Sequence, residues 1–436
     1  MLLATLLLML SSDGHAHAAA ILETSDVLPP GVGGVGMGVE ANFGLLWAED
    51  EENYNWICHE AVTSDDAIVL PEYSRSSDGV FLVTVPALEQ VREAGKPVYR
   101  SPDGCVWEPV TGLDDQVITK VEYAPTDPTQ AIAVAANLDE TVPSGIFRST
   151  DGGQTFSAVF GVGGLERLFL TAVYRPDDAA QVWASASWFA GAEGYVYYSD
   201  DNGQTFTEHP IDVPQDDNDY RVFIIGVQPG VDATAWVAVT SFTRWSIYKT
   251  EDGGQTFTTV IADQEGNVTD GAADENGGLW VAVSGRTIHH APPGGPLAPL
   301  ERSPNTLGIE IFNDELLVAE RPGSIGDVLT VADIDDQQFA LRLHLSELNP
   351  PPAYCPEDSD TIVRCQPIWE LVSARLPAER NVDTGRTRDT GTGKPLGDTA
   401  SQNPDPSPSS CGCRDGGSAF LLGGLMILWK RRRDRD

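Results

Sequence analysis

Basic residues are scarce in this chain. Its 436 residues carry 27 Lys and Arg against 65 Asp and Glu, a formal net charge of −38. That balance excludes a nucleic-acid partner, because a phosphate backbone demands a basic face. It also disfavours anionic glycans over the surface as a whole. Cysteine is sparse, six in all, with none of the paired close spacing of a zinc site. Histidine numbers seven, and His289-His290 is the only adjacent pair. Neighbours on a strand face opposite sides, so the two cannot readily share a metal, and a loop position is expected for them. Nucleophile signatures are missing, with no Gly-x-Ser-x-Gly and no His-Glu-x-x-His. Asp216-Asp-Asn-Asp219 and Asp333-Ile-Asp-Asp336 lack the spacing, Gly and closing Glu of a calcium loop. They read as solvated acidic turns. Gly31-Val-Gly-Gly-Val-Gly36 follows Pro29-Pro30 with no strand ahead of it, which makes it a flexible lead rather than a phosphate loop. No catalytic residue, metal ligand or cofactor is assigned.

What is present is an eight-residue phrase in three copies. It reads Ser149-Thr-Asp-Gly-Gly-Gln-Thr-Phe156, Ser199-Asp-Asp-Asn-Gly-Gln-Thr-Phe206 and Thr250-Glu-Asp-Gly-Gly-Gln-Thr-Phe257, at spacings of 50 and 51 residues. Such a period suits one four-stranded propeller blade. Each copy follows a strand-like run (Ser144-Gly-Ile-Phe-Arg148, Gly194-Tyr-Val-Tyr-Tyr198, Trp245-Ser-Ile-Tyr-Lys249), and apolar residues return soon after it. Strand, Gly/Asp turn and strand make a hairpin. Asp151, Asp201 and Asp252 are expected to accept backbone N–H groups ahead of them. Gly153, Gly203 and Gly254 allow positive φ. Ser149, Ser199 and Thr250 close the loop, ahead of Thr155, Thr205 and Thr256. Phe156, Phe206 and Phe257 are expected to wedge beside the next blade. A second phrase (Val121-Glu-Tyr-Ala-Pro125, Val173-Tyr-Arg-Pro176, Ile225-Gly-Val-Gln-Pro229) marks the first strand of each unit, and Ala131-Ile-Ala-Val134 or Val182-Trp-Ala-Ser185 the second.

The octapeptide resembles the Asp-box, or BNR repeat, with pattern Ser/Thr-x-Asp-x-Gly-x-Thr-Trp/Phe. In that family the box sits at a blade hairpin far from the active site. A decayed copy, Ser101-Pro-Asp103-Gly104-Cys-Val-Trp107, lies one period earlier, and Trp47 to Trp56 keeps the acids and closing aromatic of another. Gly278-Leu-Trp-Val-Ala-Val283 and Glu315-Leu-Leu-Val-Ala319 continue the rhythm as second strands. The fold expected is an all-β propeller of seven blades, with six or eight left open. Ile368-Trp-Glu-Leu-Val372 is the expected closing strand, paired beside the first unit.

The ends differ in character. Residues 1–20 hold an apolar run and small-residue cleavage sites after Ala18 or Ala20, which reads as a secretory signal. The propeller spans 21–377, and the Asp-, Thr-, Pro- and Ser-rich stretch 378–410 is a linker. Residues 411–436 join Cys411-Gly-Cys413, a short apolar segment and Lys430-Arg-Arg-Arg433. This order resembles the MYXO-CTERM sorting tail, which implies membrane association through the tail, processing near Cys411, and surface display or release. A plain weak anchor is the simpler reading, and both place the body outside the cytoplasm. In an exported protein Cys58, Cys105, Cys355 and Cys365 are expected in disulfides. Short separation favours Cys355 with Cys365, leaving Cys58 with Cys105.

Three functions remain open: a surface binding module for a glycan or protein ligand at the propeller face, a sialidase-like glycan hydrolase, and a structural surface protein. The sialidase family resembles this chain in fold and repeat but needs three Arg, a Tyr–Glu pair and an Asp. Here the nearest match to its N-terminal signature, Tyr99-Arg-Ser-Pro102, overlaps the decayed box, and Arg148, Arg175, Arg221, Arg244, Arg286 and Arg321 show no assignable arrangement. Trp183, Trp236 and Trp280 are expected in the core, with Trp188 and Trp245 at the surface.

Overall fold

The computed structural model describes residues 24–377 apart from 30–35, 51–52, 63–70, 86–95, 138–140, 164–166, 189–192, 215–219, 242, 284–286, 302 and 321–325. The signal segment, the linker and the Cys411/Cys413 tail lie outside the described residues, as do Asp216–Asp219, Arg286 and Arg321. The chain folds as seven four-stranded antiparallel sheets, each wound from one continuous stretch: 24–57, 72–109, 118–162, 168–212, 221–265, 268–299 and 306–344. These are blades 1 to 7. Their innermost strands touch in chain order, and that of blade 7 returns to that of blade 1, which closes a ring. The chain is a seven-bladed β-propeller.

Why these segments become strands follows from their surroundings. A blade is covered on both faces by its neighbours, so its middle strands read as continuous apolar runs instead of alternating ones. Met37–Ala41, Gly44–Ala48, Ala235–Thr240 and Leu279–Val283 are buried at every position. The core is a set of interblade clusters, such as Ile132, Val134, Ala172, Val182 and Tyr197 between blades 3 and 4. Each fully buried aliphatic side chain there contributes about 1.5–3 kcal/mol.

Closure differs from the sequence expectation. Among the described residues no strand is exchanged between the ends, and Ile368–Val372 belongs to a helix, α1, spanning Asp360–Ser373. Ser359 caps α1 by accepting the Ile362 N–H. Thr361, Cys365, Ile368 and Val372 are its buried residues, a spacing of helical period rather than the period of two that a strand needs. The segment ahead of α1 lies along the outer edge of blade 1, where Asn349 donates to the Tyr54 carbonyl at 2.8 Å and accepts the Trp56 N–H at 3.2 Å. That contact covers an edge which would otherwise present unpaired backbone groups. Trp369 of α1 packs on Trp56.

The disulfides also correct the expected pairing. Cys58 bonds Cys365, and Cys105 bonds Cys355. Both bridges tie the C-terminal segment to the first two blades, and none is local. Proximity in sequence was the wrong guide because the ring brings the two chain ends together.

Candidate functional site

The octapeptides join the third and fourth strands of blades 3, 4 and 5, all on one face of the ring. Each is a closed hydrogen-bonded turn. Ser149 Oγ donates to Asp151 Oδ1 at 2.8 Å and accepts the Gly153 N–H at 3.0 Å. Asp151 accepts the Thr155 N–H at 2.9 Å and the Thr155 hydroxyl at 2.6 Å. Ser199, Asp201, Gly203 and Thr205 repeat this pattern, as do Thr250, Asp252, Gly254 and Thr256. In the decayed copy Ser101 and Asp103 still accept the N–H groups of Gly104 and Cys105. Desolvation works against charge on Asp151, Asp201 and Asp252, but the bonds from Thr, Ser and backbone N–H outweigh it and hold these carboxyls below the usual range.

The closing aromatics turn the other way from the expectation. Phe156 packs with Leu82 and Val98 of blade 2, Phe206 against the blade 3–4 cluster, and Phe257 against the blade 4–5 cluster. Each therefore wedges toward the preceding blade. Gly153 shows why glycine is needed: its φ is +79°, and a Cβ would lie 2.8 Å from Tyr123 Oη and 2.9 Å from Leu82. The Arg ahead of the decayed copy and the Arg ahead of the first octapeptide extend the chain of contacts to the next blade. Arg100 Nε donates to the Gly152 carbonyl at 2.7 Å and Arg148 Nε to the Asn202 carbonyl at 2.6 Å. These hairpins bolt blade to blade.

The opposite, upper face holds the connections between blades, and the channel runs from it. Innermost strands leave one backbone edge unpaired along the axis, and the preceding blade fills that need. Glu40 accepts the Tyr73 N–H. Ser74 accepts the Tyr123 N–H at 2.9 Å, Thr171 the Ile224 N–H at 3.1 Å and Asp270 the Ile309 N–H at 2.7 Å. Glu40 and Asp270 therefore have a structural role.

Asp26, Glu72, Glu122 and Glu310 lie on the innermost strands of blades 1, 2, 3 and 7, where Asp26 accepts the Val27 N–H at 2.8 Å and Glu310 the Ile311 N–H at 3.1 Å. They converge electrostatically on Lys120, whose Nζ lies 3.8 Å from Asp26 and 3.6 Å from Glu72. Side-chain exposures of 20% for Lys120, 33% for Asp26 and 41% for Glu72 show that water reaches this deep cluster. Desolvation would lower the Lys120 pKa, yet the surrounding carboxylates raise it well above the usual value. Desolvation, only partly offset by Lys120, pushes Glu122 up to about 7. Desolvation and then the Asp26 charge push Glu310 up to about 8. One ammonium thus faces five acidic side chains, since the Glu40 charge acts on Lys120 as well. Among the described residues, no three His, Cys, Asp or Glu side chains form a metal-holding group. Sequence reading missed this cluster, although Glu122 lies in the phrase it had placed in the first strand of its unit and Lys120 stands just ahead of that phrase.

Other sequence candidates scatter. Trp188 is 37% exposed, whereas Trp245 is 2% exposed and donates to the Glu265 carbonyl, so the surface expectation for Trp245 is corrected. Trp183, Trp236 and Trp280 are buried. His289 and His290 lie on a strand, Thr287–Ala291, rather than a loop. His289 meets Trp245 edge-on and His290 stacks on Trp280 at 3.8 Å, and burial lowers both pKa values. Asp333 and Asp336 accept the N–H groups of Asp335 and Gln338 within their turn. A strand, Thr24–Leu28, does precede the Gly31–Gly36 stretch, contrary to expectation. Arg148, Arg175 and Arg244 are held separately, by Gln130 and Asn202, by Asp177, Asp178 and Asp232, and by Asp263. Arg221 donates to the Tyr220 carbonyl. The structure does not bring these four into one carboxylate-gripping set.

No protein-family model matches the chain. No curated protein matches it either. Solved structures do. A GH74 xyloglucanase from Xanthomonas campestris aligns with TM-score 0.51 at 13% identity, over 73% of this chain and 53% of that one. A Mycobacterium tuberculosis puromycin-hydrolyzing peptidase aligns with TM-score 0.51 at 12% identity, over 79% and 56%. The Dos1 propeller aligns with TM-score 0.50 at 10% identity, over 75% and 85%. The matched region is about half the length of the xyloglucanase and the peptidase. At these identities the likeness shows the propeller fold.

Proposed function

We propose that this chain is an exported, surface-displayed Asp-box propeller that acts as a binding module, and that its upper face takes a ligand carrying positive charge. The observation that carries the reading is the channel cluster, in which Asp26, Glu72, Glu122 and Glu310 surround Lys120, the one cation among the described residues that acts on them. A carboxylate-bearing sugar entering there meets like charge, which disfavours the sialidase alternative. An ammonium or guanidinium entering the same channel relieves the repulsion among the carboxyls and restores their ionisation. Neighbours of this fold have names that state different activities, so the ligand class rests on charge and not on the fold. Export is supported by the signal-like residues 1–20, and surface tethering by the MYXO-CTERM-like order of Cys411, apolar segment and Arg cluster.

The test is calorimetric titration of the full chain with a capped Gly-Lys-Gly-Lys-Gly peptide. Binding at low salt that is lost in the Glu72→Gln/Glu122→Gln variant supports the reading. No binding by the unaltered chain overturns it.

A further inference from the structure

The ring has one seam, where blade 7 meets blade 1 through their innermost strands. The channel residues straddle it, with Glu310 on blade 7, Asp26 on blade 1, Glu72 on blade 2, and Lys120 and Glu122 on blade 3. Residues 345–373 cross this seam from outside. Leu345 donates to the Gly326 carbonyl of blade 7 at 2.8 Å, Asn349 lines the edge of blade 1, and α1 continues to blade 2.

The decayed octapeptide of blade 2 is where this segment docks. In the intact copies the turn satisfies its own donors, as Thr155 does on Asp151. In the decayed copy the C-terminal segment supplies the partners. Trp107 donates its N–H to Asp360 at 3.1 Å. Thr361 donates its hydroxyl to the Gly104 carbonyl at 2.6 Å and its N–H to the Cys105 carbonyl at 3.1 Å. Tyr354 Oη donates to the Asp103 carbonyl at 3.4 Å. Cys105, inside the copy, is bonded to Cys355. The one box that departs from the repeat is thus a receptor for a segment 250 residues away.

Two covalent bridges on this segment decide where a pull from the C-terminal side goes. Non-covalent contacts open one after another. Without bridges, such a pull would strip α1, then residues 345–359, then the outer strand of blade 7, Ala340–His344, and the seam would open. With them, stripping stops at Cys365. The load passes through Cys365 to Cys58 beside blade 1, and through Cys355 to Cys105 in blade 2. Glu72 follows Cys58 closely in the chain and Lys120 follows Cys105, so a load on the channel reaches the bridges without crossing blades 4 to 7.

We infer that residues 345–373 are a load-bearing strap, which carries tension covalently into blades 1 and 2 and keeps the seam closed under pull. A pull on this side in cells rests on the proposed tethering through the tail, whereas the strap itself is read in isolation. The full chain carries one tag at its C-terminal end and a second inserted between Asp114 and Asp115, in an exposed turn between blades 2 and 3. It is held at one constant force in an optical trap, oxidised and after reductant, beside Cys105→Ser/Cys355→Ser. Melting profiles show that each tagged protein is folded before pulling, and if the variant does not fold, the reductant comparison decides.

The oxidised chain is expected to stop lengthening when the load reaches Cys355. Reduction frees the chain between the second tag and Cys355 and is expected to add about 80 nm, at about 3.5 Å per residue. The variant is expected to stop only about 13 nm beyond the oxidised chain, because Cys58–Cys365 then takes the load. A reduced chain that stops at the oxidised length overturns the strap, since packing then holds the seam without bridges. A variant that lengthens as far as the reduced chain overturns it too, since Cys58–Cys365 then carries nothing. Either result leaves the tethering and channel readings standing, which proteolysis of intact cells and peptide titration test separately.

Discussion

Cys58 and Cys365 are 307 residues apart in the chain and 5.4 Å apart between their Cα atoms. With Cys105–Cys355 this bridge clamps the C-terminal segment onto blades 1 and 2, in a ring whose blades exchange no strand. Removing a native disulfide that closes so long a loop costs about 2–5 kcal/mol. The Cys58→Ser/Cys365→Ser variant is expected to melt well below the unaltered protein in calorimetry. Added reductant should lower the melting temperature of the unaltered protein and shift that of the variant less. Equal melting of both oxidised proteins would show that packing of α1 alone closes the ring.

The octapeptide turns predict unequal costs within one phrase. Asp201→Ala removes the acceptor for Ser199, Thr205 and two backbone N–H groups, and is expected to cost about 1–3 kcal/mol. Gly153→Ala places a methyl against Tyr123 and Leu82 at positive φ and is expected to cost about 1–3 kcal/mol through strain. Gln154→Ala, at an exposed position of the same turn, is expected to stay within about 0.5 kcal/mol. Calorimetric melting of the three variants checks the ranking.

The channel predicts a pH profile. An unfolded glutamate releases its proton near 4.5, whereas folded Glu122 keeps its proton to about 7 and Glu310 to about 8. Between those values the folded state binds more protons than the unfolded state, so stability is fully present below about 4.5 and falls as pH rises toward 8. Glu310→Gln removes one of these ionisation costs. It is expected to flatten the fall and to raise the melting temperature at pH 9 by about 3–6 °C. The octapeptide aspartates act at the other end: their lowered pKa values contribute stability that is lost as pH drops below 3.8. A melting temperature that rises steadily from pH 5 to 9 would contradict the channel assignment.

The proposed export and tethering predict two masses. The mature protein from producing cells is expected to begin after Ala18 or Ala20, and protease added to intact cells is expected to remove the propeller. Cys411→Ala is expected to abolish processing near that residue. Intact-protein mass spectrometry of wild type and variant reads both ends.

The repeat made the architecture legible in the sequence. Three octapeptides at 50 and 51 residues, each with its own Asp, Gly and Thr, specify a local turn whose hydrogen bonds close within eight residues, so no distant contact is needed to recognise it. Second strands such as Leu279–Val283 were legible because burial on both faces leaves a continuous apolar run. The closing element was not, since Ile368–Val372 is apolar enough for a strand and only its packing against blade 1 selects the helical period. Cys58–Cys365, the inward convergence of Asp26, Glu72, Glu122 and Glu310 on Lys120, and the opposition of Glu193 and Asp212 all join separate elements, and the charged cluster joins separate blades. Local turn chemistry and apolar periodicity are written in consecutive residues, and the sequence alone determined the blades. Ring closure and strand register set the distances between residues remote in the chain, and only the tertiary structure decided the disulfides and the charged sites.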